Sequence, residues 1–309
     1  MKPKVFIDGR EGTTGLQIYD RLGPRDDIEL LIIDESKRKD VSERRKLLNA
    51  ADVVFLCLPD DAAREAVTLI VGDRTRIIDA STAHRTAPGW VYGFPELSSE
   101  RRGKIAAAGR VTNPGCHATG FIASVYPLIA RGVLPLDYPL TCFSPTGYSG
   151  GGKKMIAEYE EHKTRDMCAP GLYALELGHK HLPEMMSVTG LTRTPIFCPI
   201  IDDYYKGMAT SVPLYGDMLE TPMSAEDIRQ MIADYYAGQR FVTVAGELGS
   251  GTLYCGWGAD TNMLEITVSG NETQALITAR FDNLGKGASG AAVQNMNIML
   301  GFDEEKGLV

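Results

Sequence analysis

The stretch KVFIDGREGTTG, residues 4–15, decides the fold of the N-terminal part of the chain. It opens with a predicted strand, Lys4–Asp8, continues through three regularly spaced glycines and leads into an amphipathic stretch from Leu16 to Leu22. Glycines between a strand and a helix allow a tight turn and let backbone N–H groups approach a phosphate at the helix N-terminus. The order of strand, turn and helix therefore predicts a dinucleotide-binding unit. Its predicted pyrophosphate-binding residues are Gly9, Gly12, Thr13 and Gly15.

The alternation of strand-like and helical segments continues to about residue 110. Apolar strand-like runs at 28–34, 52–58 and 76–81 alternate with helical segments near 42–49 and 60–70. Strands that are apolar throughout indicate a parallel sheet covered on both faces. We therefore expect an α/β fold whose residues 1–116 form a Rossmann-type dinucleotide-binding domain.

The pattern changes after Cys116. A helix-like segment at 118–131 leads to a glycine-rich turn at 147–152, and runs of Thr, Val and Ile with many prolines follow. This pattern predicts an α+β domain with a mostly antiparallel sheet over residues 117–284. The segment 283–300 returns to helical spacing with Val293, Met296 and Met299 on one side. We place the C-terminal helix, about residues 285–309, back against the first domain.

Composition excludes several classes of protein. The formal charge is −8, which disfavours nucleic-acid binding, and the aliphatic run from Val53 to Leu58 is far shorter than the roughly 20 residues of a membrane span. The six cysteines are dispersed without a C-x-x-C pair, so we expect neither a disulfide scaffold nor a metal site. The opening residues lack the apolar segment of a signal peptide. We expect a cytoplasmic protein with a small-molecule substrate.

A cluster at the end of the second strand bears on cofactor choice. Asp34 stands near the position where an acidic group would hold a ribose 2′-hydroxyl. Ser36, Lys37 and Arg38 follow after Glu35, and this cluster suits a 2′-phosphate. The cluster therefore favours NADP over NAD, although a charged run can also be a solvated face.

The segment Asn113-Pro-Gly-Cys116 is the sharpest local signal of catalysis. A cysteine between a Pro-Gly turn and a helix-forming stretch lies at a helix N-terminus, where the macrodipole favours the thiolate. A thiolate at neutral pH is the nucleophile that covalent catalysis on an acyl group needs. The alternative is a buried structural cysteine, which we assign to the other five.

The thiolate needs a proton partner, and the segment HKH at 179–181 is the best source. Two imidazoles at i and i+2 in a non-helical segment point to opposite sides, so we expect at most one of His179 and His181 to face the thiol. His117 is the competitor because it adjoins the cysteine. A zinc site on the two histidines would lack a third and fourth ligand.

The ordered motifs together resemble one enzyme family. The glycine turn, NPGC at 113–116, SGGGK at 149–153, HKHLPE at 179–184 and GKGASGAAVQNMN at 285–297 resemble the N-acetyl-gamma-glutamyl-phosphate reductases in their shorter form. The resemblance spans essentially the whole chain and extends to the aspartate-semialdehyde dehydrogenases. It implies NADPH-dependent reduction of N-acetyl-L-glutamyl 5-phosphate to N-acetyl-L-glutamate 5-semialdehyde, through a cysteine thioester, in arginine biosynthesis.

The resemblance also implies roles for individual residues. Cys116 matches the family nucleophile and His179 matches the acid/base residue. The second domain is expected to carry catalysis and oligomerisation, as a homodimer or homotetramer. The substrate-binding residues that it implies are Arg85, Ser149 and Tyr173, and the further cofactor-binding residues are Gly150 and Asn295.

Two other functions stay open on the sequence. One is the same chemistry on aspartyl phosphate or on a carrier-linked aminoadipyl phosphate. The other is a nucleotide-sensing module that kept the dinucleotide fold and lost catalysis, against which the presence of both Cys116 and His179 counts.

Overall fold

The structure is a computed structural model, and it describes residues 2–246, 248 and 251–308. The chain divides into two compact units. Unit 1 contains Met1–Pro114 and Ala288–Val309, and unit 2 contains Gly115–Gly287. The C-terminal segment thus belongs to the same unit as the N-terminal strands.

Unit 1 is built on a parallel sheet. Its strand order is β2-β1-β3-β4-β6-β5, and each neighbouring pair is parallel. The side chains of the central strand β3 are buried along their whole length, as strands covered on both faces require. The strands are β1 Lys4–Asp8, β2 Glu29–Leu31, β3 Val53–Leu56, β4 Arg76–Asp79, β5 Val91–Tyr92 and β6 Arg110–Thr112.

The helices of unit 1 connect these strands and cover the sheet. The second strand is shorter than predicted, because the Asp34 side chain accepts a hydrogen bond from the Ser36 amide and starts a 3₁₀ turn, Glu35–Lys37. The predicted strand at 28–34 is therefore wrong over its last three residues. The helices are α1 Thr13–Leu22, α2 Val41–Ala50, α3 Asp60–Leu69, α4 Ser99–Ala107 and the C-terminal α9 Gly290–Leu300.

The C-terminal helix α9 is buried almost all round rather than on one apolar side. Two of its polar residues form hydrogen bonds within unit 1: the Gln294 amide donates to Glu96, and the Asn297 amide donates to the Glu304 and Lys306 carbonyls. The one-sided burial predicted from Val293 and Met296 is therefore incomplete. Sequence periodicity counts only apolar positions and does not detect a buried amide face.

Unit 2 contains a mixed sheet with the order β11-β12-β13-β10-β7-β9-β8. The pairs β11·β12 and β7·β9 are parallel, and the other neighbours are antiparallel. Helices α5 and α8 pack on the sheet. The strands are β7 Thr141–Gly147, β8 Gly171–Leu172, β9 Ile196–Asp202, β10 Met208–Tyr215, β11 Val242–Val244, β12 Leu264–Gly270 and β13 Gln274–Phe281. The helices are α5 Cys116–Ala130, α6 Gly152–Glu161, α7 Leu182–Thr189 and α8 Ala225–Tyr235.

Every helix in the described part of the chain is too short or too polar to cross a bilayer. The same part of the chain contains no group of His, Cys, Asp and Glu side chains arranged to hold a metal ion. The six cysteines are present as thiols and not as disulfides.

Candidate active site

The glycine turn of unit 1 can be built only with glycines at its two ends. Gly9 has φ +88°, and a Cβ there would lie 2.3 Å from the Cys57 carbonyl oxygen. A Cβ on Gly15 would lie 2.5 Å from the Gly9 carbonyl oxygen. Both substitutions would displace backbone, so the turn between β1 and α1 depends on these two missing side chains.

Helix α1 begins without a side-chain cap. Its N-cap is Gly12, and its first turn carries no acidic residue, whereas helix α2 is capped by the Asp40 carboxylate. Within the described part of the chain, the buried Thr13 hydroxyl has no hydrogen-bond partner. An uncapped helix start with an unsatisfied hydroxyl fits the pyrophosphate of a dinucleotide.

The predicted 2′-phosphate cluster lies on the 3₁₀ turn after β2. The Ser36 hydroxyl donates to Asp34 at 2.6 Å, and these Ser36 hydrogen bonds lower the pKa of the Asp34 carboxyl. Arg38 forms an ion pair with Glu35, and both side chains are exposed. Exposed pairs of this kind contribute roughly 0–1 kcal/mol, so a phosphate can replace Glu35 as the partner of Arg38.

Asn295 of α9 anchors two other segments of unit 1. Its amide donates to the Gly93 carbonyl at 2.9 Å and approaches the Asn113 side-chain oxygen at 3.4 Å. A Cβ on Gly93 would lie 2.4 Å from the Asn295 amide nitrogen, so the contact needs glycine there. In the described chain, the fully buried Asn295 Oδ1 accepts no hydrogen bond. It offers an acceptor that suits the carboxamide of a nicotinamide ring.

Arg85 lies in the loop that follows β4. Its guanidinium donates to the carbonyls of Asn113 at 3.1 Å and Ala80 at 3.2 Å. The preceding His84 is fixed as well, since its Nδ1 lies 2.6 Å from the Asp79 carboxylate and its ring stacks on Trp90 at 4.3 Å. The loop is therefore rigidly tied, and Arg85 has a defined position in unit 1.

In unit 2, Cys116 is the first residue of α5. The N-cap is Gly115, the first turn has neither a side-chain cap nor an acidic residue, and the thiol is partly buried. The buried Glu184 carboxylate accepts a hydrogen bond from the Gly115 amide at 3.1 Å and so holds the turn before Cys116. A Cβ on Gly287 would lie 2.9 Å from the Cys116 Cβ. The sulfur therefore lies at the positive end of a helix, where a thiolate is stabilised.

His179 has one of its ring nitrogens fixed by the backbone. Its Nδ1 accepts a hydrogen bond from the His181 amide at 3.1 Å. A neutral imidazole whose Nδ1 accepts carries its proton on Nε2, so this contact assigns the tautomer. With Nδ1 accepting this bond, Nε2–H is left as a donor.

The two histidines of the HKH segment point into one cluster, and the expectation of opposite sides is wrong. Their rings are 4.7 Å apart, and they lie 5.5 and 5.8 Å from the ring of His117. The physical reason is local: His181 has φ −89° and ψ −10° at the start of α7, so the segment turns instead of extending. Alternation of side chains applies only to extended backbone.

His117 is a buried neutral ring and does not suit the role of proton partner. Its Nε2 lies 2.7 Å from the Tyr173 hydroxyl, and its Nδ1 lies 2.7 Å from the Ser144 hydroxyl. Burial lowers the pKa of His117 to about 3, and the nearby charges of His179 and Lys180 act in the same direction. With both nitrogens engaged, the ring has no free position for proton transfer to substrate.

This burial makes stability depend on pH. The unfolded chain binds a proton at His117 near pH 6.5, whereas the folded chain stays neutral there down to about pH 3. The free energy of unfolding should therefore fall as the pH drops through this window, by about 1.4 kcal/mol per pH unit. Urea denaturation at several pH values measures the slope. His117→Gln, which does not titrate, should lose this part of it, and equal slopes in both proteins would contradict a neutral buried ring.

Ser149 and Gly150 lie in the short 3₁₀ helix Tyr148–Gly151 after β7. The buried Ser149 hydroxyl accepts a hydrogen bond from the Asn283 amide at 3.0 Å, and Asn283 in turn accepts from the Gly207 amide at 2.8 Å. Ser149 thus holds this turn in place, while Gly150 is exposed.

The predicted site residues are distributed over both units. Glu184 and Ser144 were not singled out, because their contacts join residues 69 and 27 positions apart in the chain. The only feature of the sequence that could have identified Glu184 was its position in the HKHLPE motif. Unit 2 holds Cys116, Ser149, Gly150, Tyr173 and His179. Unit 1 holds Gly9, Gly12, Thr13, Gly15, Ser36, Lys37, Arg38, Arg85 and Asn295.

Comparison with known proteins matches both parts of the chain. The sequence model described as "Semialdehyde dehydrogenase, NAD binding domain" matches residues 5–105, and that described as "Semialdehyde dehydrogenase, dimerisation domain" matches residues 116–283. A solved structure of aspartate semialdehyde dehydrogenase II from Vibrio cholerae has a TM-score of 0.74 at 15% identity and covers 97% of this chain and 98% of its own. That likeness shows the fold alone.

Curated relatives are similar over their full length. N-acetyl-gamma-glutamyl-phosphate reductase 2 from Nostoc sp. is 53% identical and covers 99% of each chain. N-acetyl-gamma-glutamyl-phosphate reductase 2 from Pseudomonas putida is 47% identical and covers 97% of each. The reductase from Sinorhizobium medicae is 48% identical and covers 97% of this chain and 99% of its own.

The dinucleotide-binding unit and the thiol at a helix start define a nicotinamide-dependent oxidoreductase of the semialdehyde dehydrogenase class. Within that class, the chain belongs to the family of the N-acetyl-gamma-glutamyl-phosphate reductases. The predictions of the family, the fold class, an aldehyde-forming enzyme of arginine biosynthesis and NADP as its cofactor are confirmed. The chain also carries a dimerisation domain.

Proposed function

We propose that this protein reduces N-acetyl-L-glutamyl 5-phosphate to N-acetyl-L-glutamate 5-semialdehyde and phosphate with NADPH, in the cytoplasm, and that Cys116 and His179 carry the reaction. The observation that supports these roles most directly is the position of Cys116 at the uncapped start of α5, in one unit with His179. The His179 ring lies against His117, the residue that follows the nucleophile.

The first step forms a thioester on Cys116. The thiolate attacks the acyl carbon, a carbon–sulfur bond forms, and the bond to the phosphate oxygen breaks. Backbone N–H groups at the start of α5 stabilise the thiolate and then the tetrahedral oxyanion. The Glu184 carboxylate keeps the preceding turn in place through the Gly115 amide.

The second step reduces the thioester. NADPH, when bound, supplies the hydride. His179 donates its Nε2 proton to the oxygen of the thiohemiacetal and recovers a proton as the aldehyde leaves and the thiolate is restored. The backbone bond to Nδ1 keeps the ring in the tautomer that this donation requires.

The residues of unit 1 fit NADP. The uncapped start of α1 and the Thr13 hydroxyl would hold the pyrophosphate, together with the turn of Gly9, Gly12 and Gly15. The cluster Ser36, Lys37 and Arg38 would hold the 2′-phosphate, and Asn295 Oδ1 would accept from the nicotinamide carboxamide. We assign Gly150 to the cofactor site because its missing side chain leaves the backbone accessible.

Three residues are assigned to the substrate. Arg85, held by two backbone carbonyls, supplies the positive charge that an acyl phosphate needs. Tyr173 carries a hydroxyl beside His117, in the same unit as the nucleophile. Ser149, fixed by Asn283, shapes the turn that would lie at the phosphate.

The sheet of unit 2 supports assembly with a second copy. Outward-facing apolar side chains on its neighbouring strands β9, β7, β10 and β13 form one exposed face, opposite the buried residues of the same strands. A large exposed apolar face is the usual mark of an interface, so we infer a homodimer through this sheet, or a homotetramer built from such dimers. Its large members are Phe143, Ile196, Tyr215 and Leu276.

The assay run in reverse tests the proposed function. Purified protein is given N-acetylglutamate semialdehyde or aspartate semialdehyde, with phosphate and either NADP or NAD. We expect kcat/KM to be at least about 100-fold higher for the N-acetylated substrate, because a pocket built for a buried amide leaves its polar groups unpaired with a free amine. The rate should need phosphate and favour NADP. A preference for aspartate semialdehyde would contradict the assigned substrate.

A further inference from the structure

The Asn283 side chain lies between two backbone segments of unit 2. One segment is the turn 147–149 after β7, and the other is the connection 204–207 between β9 and β10. The three amides of the turn donate to carbonyls of the connection at 2.9–3.0 Å, so the two segments run side by side. Asn283 follows β13 and is 1% exposed. It has no part in the reaction steps assigned to Cys116 and His179.

A backbone group fixes the orientation of the Asn283 amide. The Gly207 N–H can only donate, and it lies 2.8 Å from the Asn283 side-chain oxygen. In the flipped orientation, two N–H groups would face each other in the interior and neither would have an acceptor. The Asn283 Nδ2 therefore faces the Ser149 hydroxyl, at 3.0 Å from its oxygen.

This orientation decides what the Ser149 hydroxyl can do. An amide nitrogen donates and does not accept, so the Ser149 oxygen is the acceptor in this bond. Within the described residues, it is the only hydrogen bond that the Ser149 side chain makes. The hydroxyl proton is therefore left to donate to a ligand, although the side chain is 1% exposed. A buried donor of this kind is favourable only when an acceptor is supplied.

The surroundings of Ser149 suit an anionic acceptor. The first turn of its own 3₁₀ helix carries no acidic residue, and neither does the first turn of α6, which follows directly. A hydroxyl that donates to a charged oxygen forms a stronger bond than one that donates to a neutral oxygen. Phosphate oxygens are acceptors of this charged kind.

We propose that Asn283 is a positioning residue that holds the Ser149 hydroxyl as a hydrogen-bond donor to the phosphate group of the substrate. The proposal rests on the proposed function, which assigns Ser149 to the acyl phosphate. Asn283 acts through Ser149 and does not touch the substrate. A phosphate of the dinucleotide would offer the same kind of oxygen, and the experiment distinguishes the two sources.

Asn283→Asp tests the direction of the bond to Ser149. The introduced carboxylate still accepts from the Gly207 amide and still bonds to Ser149, but it accepts there and takes up the hydroxyl proton. If Asn283 only supported the fold, this variant would behave like the original protein, because both hydrogen bonds are kept. We expect instead that KM for phosphate in the reverse reaction rises at least about tenfold, the size of one hydrogen bond to a charged group. The value of kcat should change little, because the lost contact is one of binding.

Two comparisons separate the hydroxyl proton from the added charge. Ser149→Ala should raise KM for phosphate about as far as Asn283→Asp does. In the Ser149→Ala background, Asn283→Asp should raise KM by a factor at least about threefold smaller than in the original protein, because the hydroxyl through which it acts is already gone. Asn271→Asp is the matched control, since it adds the same charge to unit 2 and keeps the oxygen that accepts from the Thr273 and Gln274 amides. It should leave KM unchanged.

Binding of inorganic phosphate alone gives a readout without turnover. Phosphate that binds the folded full-length protein raises its Tm, and the rise depends on the affinity. The rise should be smaller in Asn283→Asp and Ser149→Ala than in the original protein and in Asn271→Asp. The affinity for NADPH, measured by cofactor fluorescence, should be the same in all four proteins. Should Asn283→Asp fail to fold, Asn283→Ala takes its place and should raise KM for phosphate only when Ser149 is present.

A folded Asn283→Asp protein with the original KM for phosphate and the original rise in Tm would overturn the proposal. Equal effects of this substitution with and without the Ser149 hydroxyl would overturn it as well. A loss of affinity for NADPH instead of phosphate would assign the hydroxyl to the cofactor and contradict the substrate role. Failure of the proposed function would appear differently, as an original protein that binds phosphate but shows no phosphate-dependent turnover.

Discussion

Cys116→Ser is expected to lose at least about 10⁴-fold in kcat, the largest effect of any single substitution in this chain. A helix N-terminus stabilises a thiolate, but it does not ionise an alcohol. The variant should bind NADPH as the original protein does, as measured by the fluorescence of the cofactor, because all residues assigned to the dinucleotide except Gly150 lie in the other unit. Mass spectrometry should find no acyl-enzyme after incubation with the acyl phosphate.

The control for this substitution is a second thiol of the same unit. Cys168 is exposed and lies in a short 3₁₀ helix away from any helix of full length. Cys168→Ser should leave kcat and KM unchanged. Cys142 is no competitor as a nucleophile, because complete burial raises the pKa of its thiol. Turnover of Cys116→Ser within tenfold of the original would refute the thioester mechanism.

His179→Asn is expected to lower kcat by about 10²- to 10⁴-fold, the contribution of a general acid and base. Asparagine can place an oxygen where Nδ1 accepts from the His181 amide, so the local turn survives, but it has no group in the position of Nε2. Thioester formation precedes the proton donation that we assign to this residue. The acyl-enzyme should therefore accumulate in the variant, and a burst of phosphate release should persist while aldehyde formation slows.

A second substitution of His179 tests whether Nε2 is the atom that transfers the proton. His179→Gln reaches the position of Nε2 with an N–H that donates a hydrogen bond but transfers no proton. It should bind substrate nearly as well as the original protein and still lose most of kcat, together with the pH dependence of that step. A kcat within about threefold of the original in both variants would remove His179 from the reaction.

Local rules predicted much of unit 1. The first strand is Lys4–Asp8 in both the prediction and the structure, because an apolar run that ends in a glycine turn has few alternatives. The second strand was predicted too long, since an apolar run to residue 33 does not reveal that the Asp34 side chain will cap a new turn. Short strands such as Val91–Tyr92 carry too few residues for a period and were not predicted.

The site was harder to predict from local sequence patterns, because its contacts join residues that are far apart in the sequence. The thiol at a helix start followed from four consecutive residues, and the structure has that helix begin at Cys116. The clustering of His179 with His181 was missed, because it depends on one backbone angle at the start of α7. The polar contacts of His117 join three separate segments, and no spacing in the sequence records them.

Unit 1 is discontinuous, and this has a consequence during synthesis of the chain. Helix α9 supplies buried residues to the N-terminal unit, yet it is synthesised after all of unit 2. The nucleotide-binding unit, unit 1, therefore stays incomplete until all of unit 2 has been synthesised. Gly287, which lies against Cys116, is the last residue of unit 2 to be synthesised. A polypeptide terminated before Gly287 would thus lack both the helix that completes unit 1 and the glycine that lies against Cys116.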